Sequence, residues 1–429
     1  MQIDFHHAVT YVIARAAEFT HQEAEIIAYS AQYVDDATNS GLVQFYLGDI
    51  DKPKLGPTYR RISSAHKMLD YRNNNALSNS NVWLPFHFLP SNDDYQQDNT
   101  WQAGEPFLPR LICRPNSPIA QLMVKRCIQS LDRQEPTNLQ SNAYKKALSR
   151  LGITMHVYAD TWAHQDFVGV AHQFNELSDI KSSGHGLDDA RVKNKGSDWW
   201  TRLKSKATGD FMPLGHGPAL TYPDLPFLTW QYQRPEKWRR YSRQLQFDEN
   251  GYVTRNNTEL FITAAQHMYT ALCAFRQGQS EVDLNQPQTM PEAYTEKITA
   301  AFIEHSSTNS SKRHEQWLDK INSHHFPFDM PDNVLLHYSA EDKQWKSAIL
   351  KGERVSNLGS PLSTGWNTAK QYLSQILPEA IQLEYSVAYQ YPEDNAFLGS
   401  QWKLFHDALM EHRYAVCHDI SPKFHICAS

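Results

Sequence analysis

Apolar positions recur at helical spacing from the first residues. Phe5, Val9, Val12, Ile13, Ala16 and Ala17 fall on one face and predict a helix over residues 5–19. Thr20 and Glu23 then form a T-x-x-E capping box that opens a second helix, to about Val34. Residues 50–64 contain Pro and Gly and read as loop. Between residues 79 and 118, Pro85, Pro90, Pro106, Pro109, Pro115 and Pro118 exclude a long regular helix. Helical patterns resume over 118–132, 141–164 and 258–276. Residues 176–222 form a polar stretch rich in Gly, Ser, Lys and Asp, long enough to read as a functional excursion. Residues 278–292 and 305–313 read as linkers. Ile381, Leu383, Tyr385, Val387 and Tyr389 alternate strictly, which predicts a strand, and 395–415 predicts a last helix. The expected fold class is mainly α, with a larger unit over residues 1–277 and a smaller C-terminal α or α+β module over 278–429 packing on or near it.

The composition narrows the classes. In 429 residues, 41% are hydrophobic and 12% aromatic, enough to bury a large core and to exclude a disordered chain. The net charge of −6, from 41 Lys and Arg against 47 Asp and Glu, argues against a broadly basic binder of long nucleic acid. No apolar run approaches the roughly 18–20 residues of a membrane span. The opening MQIDFHHAVTYVIARAAEF has no basic leader, apolar core or small-residue cleavage site, so no general secretion signal is expected. Cys113, Cys127, Cys273, Cys417 and Cys427 are scattered without a CxxC, which predicts free thiols rather than disulfides or a thiolate zinc site. Twenty histidines shift attention to metal chemistry.

The central motif is His156-Val-Tyr-Ala-Asp160-Thr-Trp-Ala-His164. Positions i, i+4 and i+8 of a helix share one stripe, so all three side chains can face one place. Met155, Val157, Tyr158, Ala159, Trp162 and Ala163 surround them, which predicts a buried helix rather than a solvated polar face. Buried imidazole and carboxylate need partners, and a metal ion supplies them. Asp4 and His6 form a second candidate pair at the start of the first helix, the alternative being an N-cap aspartate with a surface histidine. Asp35 and Asp36 close the second helix. Two adjacent carboxylates at a helix C-terminus repel each other and oppose the macrodipole, a conflict that a cation relieves.

A looser set follows. His87 sits in the apolar run Trp83-Leu-Pro-Phe-His-Phe-Leu-Pro90, where an unpaired imidazole is costly. His66 and His216 stand between ligand and packed core residue, and Asp224 is the nearby carboxylate after His216. His172 is a candidate to support a ligand from behind. His324, His325, His412 and His418 read as structural.

Taken in order, these blocks resemble the zinc-dependent phospholipase C and P1 nuclease superfamily, most closely a bacterial zinc metallophospholipase C group. The matching blocks are DFH (Asp4–His6), AQYVDD (Ala31–Asp36), FHFLP (Phe86–Pro90) and the HxxxDxxxH of His156–His164. The likeness covers roughly residues 1–275. It implies a helical catalytic core holding two or three zinc ions. The implied metal ligands are Asp4, His6, Asp35, His66, His87, His156, Asp160, His164 and His216. Asp35 and Asp36 would be the catalytic carboxylates, with Asp35 orienting the attacking water and accepting its proton. Better-known members space the last histidine two residues further on, end with HxxxE where this chain has Leu220, and use the amine of a processed N-terminal tryptophan as a ligand. Here Met1 leads directly to Asp4, and Asp4 is expected in that place.

The implied activity is hydrolysis of phosphatidylcholine-type lipids to diacylglycerol and a phosphorylated head group. Zinc supplies an acidified water and charge neutralisation. Contact with a membrane surface is expected without a spanning segment. Trp83, Trp162, Trp199, Trp200 and Trp230 are the candidates for a choline cage. A lipid-cleaving chain without a leader points to the cytoplasm of the producing cell or to delivery into a host cell as an effector. A P1-like single-strand nuclease with the same metals is the alternative enzyme. A non-enzymatic metal-binding helical protein is the third reading.

Overall fold

A computed structural model describes residues 1–38, 40–47, 54–66, 76–91, 108–131, 137–183, 214–239, 241–242, 245–338, 387–391 and 396–424. The chain opens with a π-helical turn, Asp4–Val9, which runs into α1 (Thr10–Ala16). The Thr20–Glu23 capping box forms as predicted and starts α2 (His21–Asp36). Then come β1 (Gly41–Leu47), β2 (Lys54–Arg61), α3 (Ala76–Phe86), α4 (Pro118–Gln129) and α5 (Asn142–Ala163). β3 (Ser178–Ser183), β4 (Thr229–Gln233) and β5 (Tyr252–Asn256) follow, then α6 (Asn257–Gln277), α7 (Glu292–Glu304) and α8 (Ser310–Asn322). β6 (Val387–Gln390) and α9 (Gln401–Tyr414) complete the numbered elements, and a second π-helical turn, Ala415–Ile420, continues α9. The fold is mainly α, with two three-stranded sheets ordered β2-β1-β6 and β3-β4-β5.

α5 is the axis of the molecule. It packs against α2, α4, α6 and α9, and nearly its whole length from Ala147 is buried. The approach of α2 is close enough that a Cβ added to Gly152 would lie 2.2 Å from the Ile27 carbonyl oxygen and 2.8 Å from Ser30 Cβ. Glycine therefore sets the spacing between the helix that carries His156 and the one that carries Asp35 in its last turn. One apolar core runs from Met1 to Ile420, so α9 and the segment around α8 share it with the first helices. A smaller core under the second sheet centres on Trp230, Tyr232, Phe88 and Phe167.

Two sequence readings change. Residues 54–61 are strand rather than loop. β2 lies at the sheet edge, where a proline costs no internal ladder bond, and Gly56 and Pro57 together oppose the single residue Phe45 as a bulge. The supposed linker 305–313 contains the start of α8, capped by the Asn309 side chain and held by buried His314, Trp317 and Ile321. Segment 278–292 does lack helix before Glu292, but Leu284 and Met290 are buried in the core. Of the alternating stretch 381–389, residues 387–389 form strand β6, parallel to β1, and 381–386 lie outside the described residues. Residues 184–213 of the polar excursion are also outside them. Cys113, Cys127, Cys273 and Cys417 are free and buried. Among the described residues, no helix is long and apolar enough to cross a membrane.

Candidate metal centre

α5 brings His156 and Asp160 to one face and holds His164 at its C-cap, as their spacing predicts. The end of this helix is fixed from two sides. Arg255 Nη2 donates to the carbonyls of Trp162 and Ala163, at 3.0 and 2.8 Å. Asp166, fully buried with φ 68°, accepts from Ser242 Oγ (2.6 Å), Arg234 Nε (3.1 Å) and Arg114 Nη1 (3.2 Å).

Three groups of ligand atoms, each within 4.8 Å of one another, form around this helix: His6 with His156 and Asp160, Asp35 with His87 and His156, and His164 with His216 and Asp224. Each can hold a metal ion. His156 is common to the first two. Asp160 is central: its Oδ2 lies 3.3 Å from both His87 Nδ1 and His156 Nε2 and 3.5 Å from His164 Nδ1, while its Oδ1 lies 3.2 Å from His6 Nε2. The His6 and His156 rings stack with centroids 3.8 Å apart.

Backbone carbonyls orient three of the imidazoles. His87 Nε2 donates to Ser64 O (2.9 Å), His164 Nδ1 to His87 O (2.8 Å), and His216 Nδ1 to Leu220 O (2.9 Å). Each bond assigns the proton to the outer nitrogen and turns the other, with its lone pair, toward the carboxylates, the usual arrangement behind a metal-bound histidine. Leu220 presents its carbonyl at φ 51°, a conformation strained for a residue with a side chain. Gly215, at φ 52°, lets the Phe88 ring close over His164 and His216, since a Cβ there would lie 2.3 Å from that ring.

The electrostatics favour a cation. Burial lowers the pKa of His6 to about 3 and those of His156 and His164 to about 4, so these imidazoles are neutral at neutral pH with lone pairs free. Burial raises the carboxyl of Asp160, but attraction to the histidines and to the Met1 amine outweighs it, and Asp160 is ionised. Burial likewise opposes, and the same amine and His216 outweigh, ionisation of Asp224. Asp35 differs. Burial pushes it up to about 7 against the pull of His87, while a third of its side chain faces solvent.

The Met1 α-ammonium lies 2.6 Å from Asp160 Oδ1 and 3.3 Å from Asp224 Oδ1. Burial alone would lower its pKa, yet the two carboxylates raise it to about 11. A positive group thus already sits where Asp160 and Asp224 converge. Buried His6 Nδ1, His156 Nδ1 and Asp224 Oδ1 have no hydrogen-bond partner, and His6 Nε2, although near Asp160, does not meet hydrogen-bond geometry. Unpartnered buried donors and acceptors of this kind fit a bound cation.

Seven of the nine expected ligands fall in the three groups: His6, Asp35, His87, His156, Asp160 and His164 adjoin, and His216 joins them through Asp224. Asp4 does not come to the centre. Arg313 binds its carboxylate through Nε (2.6 Å) and Nη2 (3.0 Å), and the Met1 amine stands among the carboxylates instead. His66 is buried with its ring 6.2 Å from that of Trp83 and belongs to none of the three groups. Asp36 turns away from them: its Oδ2 accepts from the Tyr338 hydroxyl and from Gln32 Nε2. His172 caps a short turn by accepting from Phe174 N and meets Trp238. Trp162 and Trp230 are core residues, Trp83 is half-buried beside His87, and Trp199 and Trp200 lie outside the described residues.

The profile of a family described as DUF6765, a family of unknown function, matches residues 1–420. No curated protein and no solved structure matches the chain.

Proposed function

We propose that this chain, which belongs to the DUF6765 family, is a metal-dependent phosphodiester hydrolase. The observation that carries this reading is the convergence of three adjoining His/Asp groups on one buried helix, with a single partly exposed carboxylate, Asp35, at their edge. Zinc, as two or three ions, is the metal this nitrogen and oxygen donor set suits. Bound there, divalent ions acidify water and neutralise charge on a phosphodiester.

The chain's own groups divide the remaining work. Asp160, buried and ionised, anchors the centre, and the carbonyls of Ser64, His87 and Leu220 keep the ligand histidines aimed. Asp35 faces solvent with a pKa near neutrality, which suits a group that orients water and takes its proton. Asp36 stands behind it as a tether to Tyr338 rather than as a second base.

The substrate follows from the sequence resemblance in the DFH, AQYVDD, FHFLP and HxxxDxxxH blocks: a phosphatidylcholine-type lipid, met at a membrane surface and cut on the glycerol side of phosphorus. Half-buried Trp83, beside the His87 ring, is the aromatic best placed to meet a choline group. The test incubates the protein with phosphatidylcholine and, separately, with single-stranded DNA, with and without chelator. Phosphocholine and diacylglycerol, lost on chelation, are expected. Free choline with phosphatidic acid overturns the bond orientation. Cleavage of DNA alone makes the chain a P1-like nuclease, and inactivity on both substrates, with metal bound, leaves a metal-binding protein.

A further inference from the structure

A pocket lies apart from the three His/Asp groups, between β2, α3 and α9. Its volume is about 320 Å³, and Arg60, Ile62, Asn81, Met410, Arg413, Tyr414, Cys417 and His418 line it. Such a space is at the lower end of small-ligand sites, which run from about 300 Å³ upward. Met410, Arg413 and Tyr414 share a face of α9 at i, i+3 and i+4. Cys417 and His418 follow on the π-helical turn Ala415–Ile420. The other π-helical turn in the described chain carries His6, and such turns concentrate at functional sites.

Two features make this more than a surface dent. Neither Arg60 nor Arg413 has a carboxylate partner among the described residues, although both line the same pocket. The two charges feel each other: burial lowers the pKa of Arg413, the Cys417 thiol raises it, and the like charge of Arg60 lowers it again. Two neighbouring guanidinium groups with no counter-charge repel, and a shared anion relieves this. Much of the remaining lining is apolar or aromatic. Ile62 and Cys417 are buried, and Tyr414, 61% exposed, lies with its ring 4.8 Å from that of His418.

We propose that this pocket binds a phosphate monoester carrying an apolar body, with the phosphate between Arg60 and Arg413 and the body against Ile62, Met410 and Tyr414. A phosphate monoester carries about −1.5 to −2 charges at neutral pH, which matches two guanidinium groups, whereas a carboxylate leaves one unbalanced. The site does not depend on the metal centre.

The experiment titrates the full-length protein with hexyl phosphate, inorganic phosphate and hexanol by calorimetry. It also sediments the protein with phosphatidylcholine vesicles with and without phosphatidic acid. The variants are Arg60→Gln, Arg413→Gln and, as a control for phosphate at the histidines, His156→Ala. Unfolding midpoints check that each is folded, and exposed Arg60 serves if Arg413→Gln fails to fold. Hexyl phosphate is expected to bind more tightly than phosphate or hexanol, to weaken about tenfold or more in either arginine variant, and to bind normally in His156→Ala. If the ligand is instead lipid-borne, sedimentation on phosphatidic acid vesicles shows the same dependence on the two arginines. Binding unchanged by both arginine substitutions, binding lost only in His156→Ala, or no binding to any probe overturns the proposal.

Discussion

Arg313 grips Asp4 with two N–H groups, Nε to Oδ2 at 2.6 Å and Nη2 to Oδ1 at 3.0 Å, and both side chains are buried. The same guanidinium reaches Gln2 and the Ser307 carbonyl, so α8 clamps the π-helical turn that carries His6. Asp4 is thus a structural anchor of the candidate metal centre, two residues before His6 in the same turn. Arg313→Ala strands a buried carboxylate and is expected to cost about 3–5 kcal/mol in chemical denaturation. Asp4→Asn should likewise lower stability but retain full metal content by elemental analysis. Stoichiometric metal loss in Asp4→Asn would return Asp4 to the ligand set.

Gly152 faces Ile27 and Ser30 across the contact of α5 with α2. A methyl group there meets backbone oxygen, which cannot rotate away, so one helix must shift. Gly152→Ala is expected to cost about 1–3 kcal/mol by overpacking. Because the last turn of α2 carries Asp35 and α5 carries His156, the shift also moves one ligand group apart. Turnover should therefore fall even at temperatures where the variant is fully folded. Normal turnover with normal unfolding would show that the two helices can separate freely.

What the sequence discloses is local. The T-x-x-E box and the HxxxDxxxH stripe each lie within one helix, where spacing fixes geometry, and both form as read. Asp224 is harder to see because it and His216 sit on successive 3₁₀ turns, which carry no long-range periodicity. Arg313 lies 309 residues from Asp4, and the Met1 amine 159 from Asp160, so nothing in their neighbourhoods announces the contact. Local chemistry also misreads β2, since Gly56 and Pro57 signal a loop until pairing with β1 is known.

Asp224 completes the third ligand group with His164 and His216, and its Oδ1 is buried without a hydrogen-bond partner. Asp224→Asn keeps the shape and removes the charge. Metal bound per chain is expected to drop by one ion, with turnover down about 100-fold or more, while unfolding stays cooperative. His156→Ala removes the residue common to the other two groups and should cause the larger metal loss. Equal metal content in Asp224→Asn and the unsubstituted chain would remove Asp224 from the centre.

The buried histidines make stability depend on pH, with a definite sign. Burial lowers His6 and His412 to about 3 and His156, His164 and His314 to about 4, against an unfolded value near 6.5. Between pH 6.5 and 4 the unfolded chain therefore binds more protons than the folded one, and stability falls as pH falls. Each such histidine contributes up to about 1.4 kcal/mol per pH unit in that window. Asp160 and Asp224, held low in the fold, add a further loss below about pH 4. Asp35 acts oppositely between about pH 7 and 4, but it is one group, and its partial exposure screens it. Metal-free protein should therefore show a denaturation midpoint that is highest near pH 7–8, drops steadily toward pH 4, and falls again above about pH 8 as the Met1 amine, raised to about 11 in the fold, loses its proton in the unfolded chain first. His412 donates to the Pro85 carbonyl, away from the three ligand groups, so His412→Gln tests whether part of the slope arises outside the centre. Zinc should raise the midpoint most above pH 6.5, where no proton competes for the ligand nitrogens in the unfolded or folded chain. A midpoint independent of pH from 7 to 4 would mean that these imidazoles are not buried neutral in the folded protein.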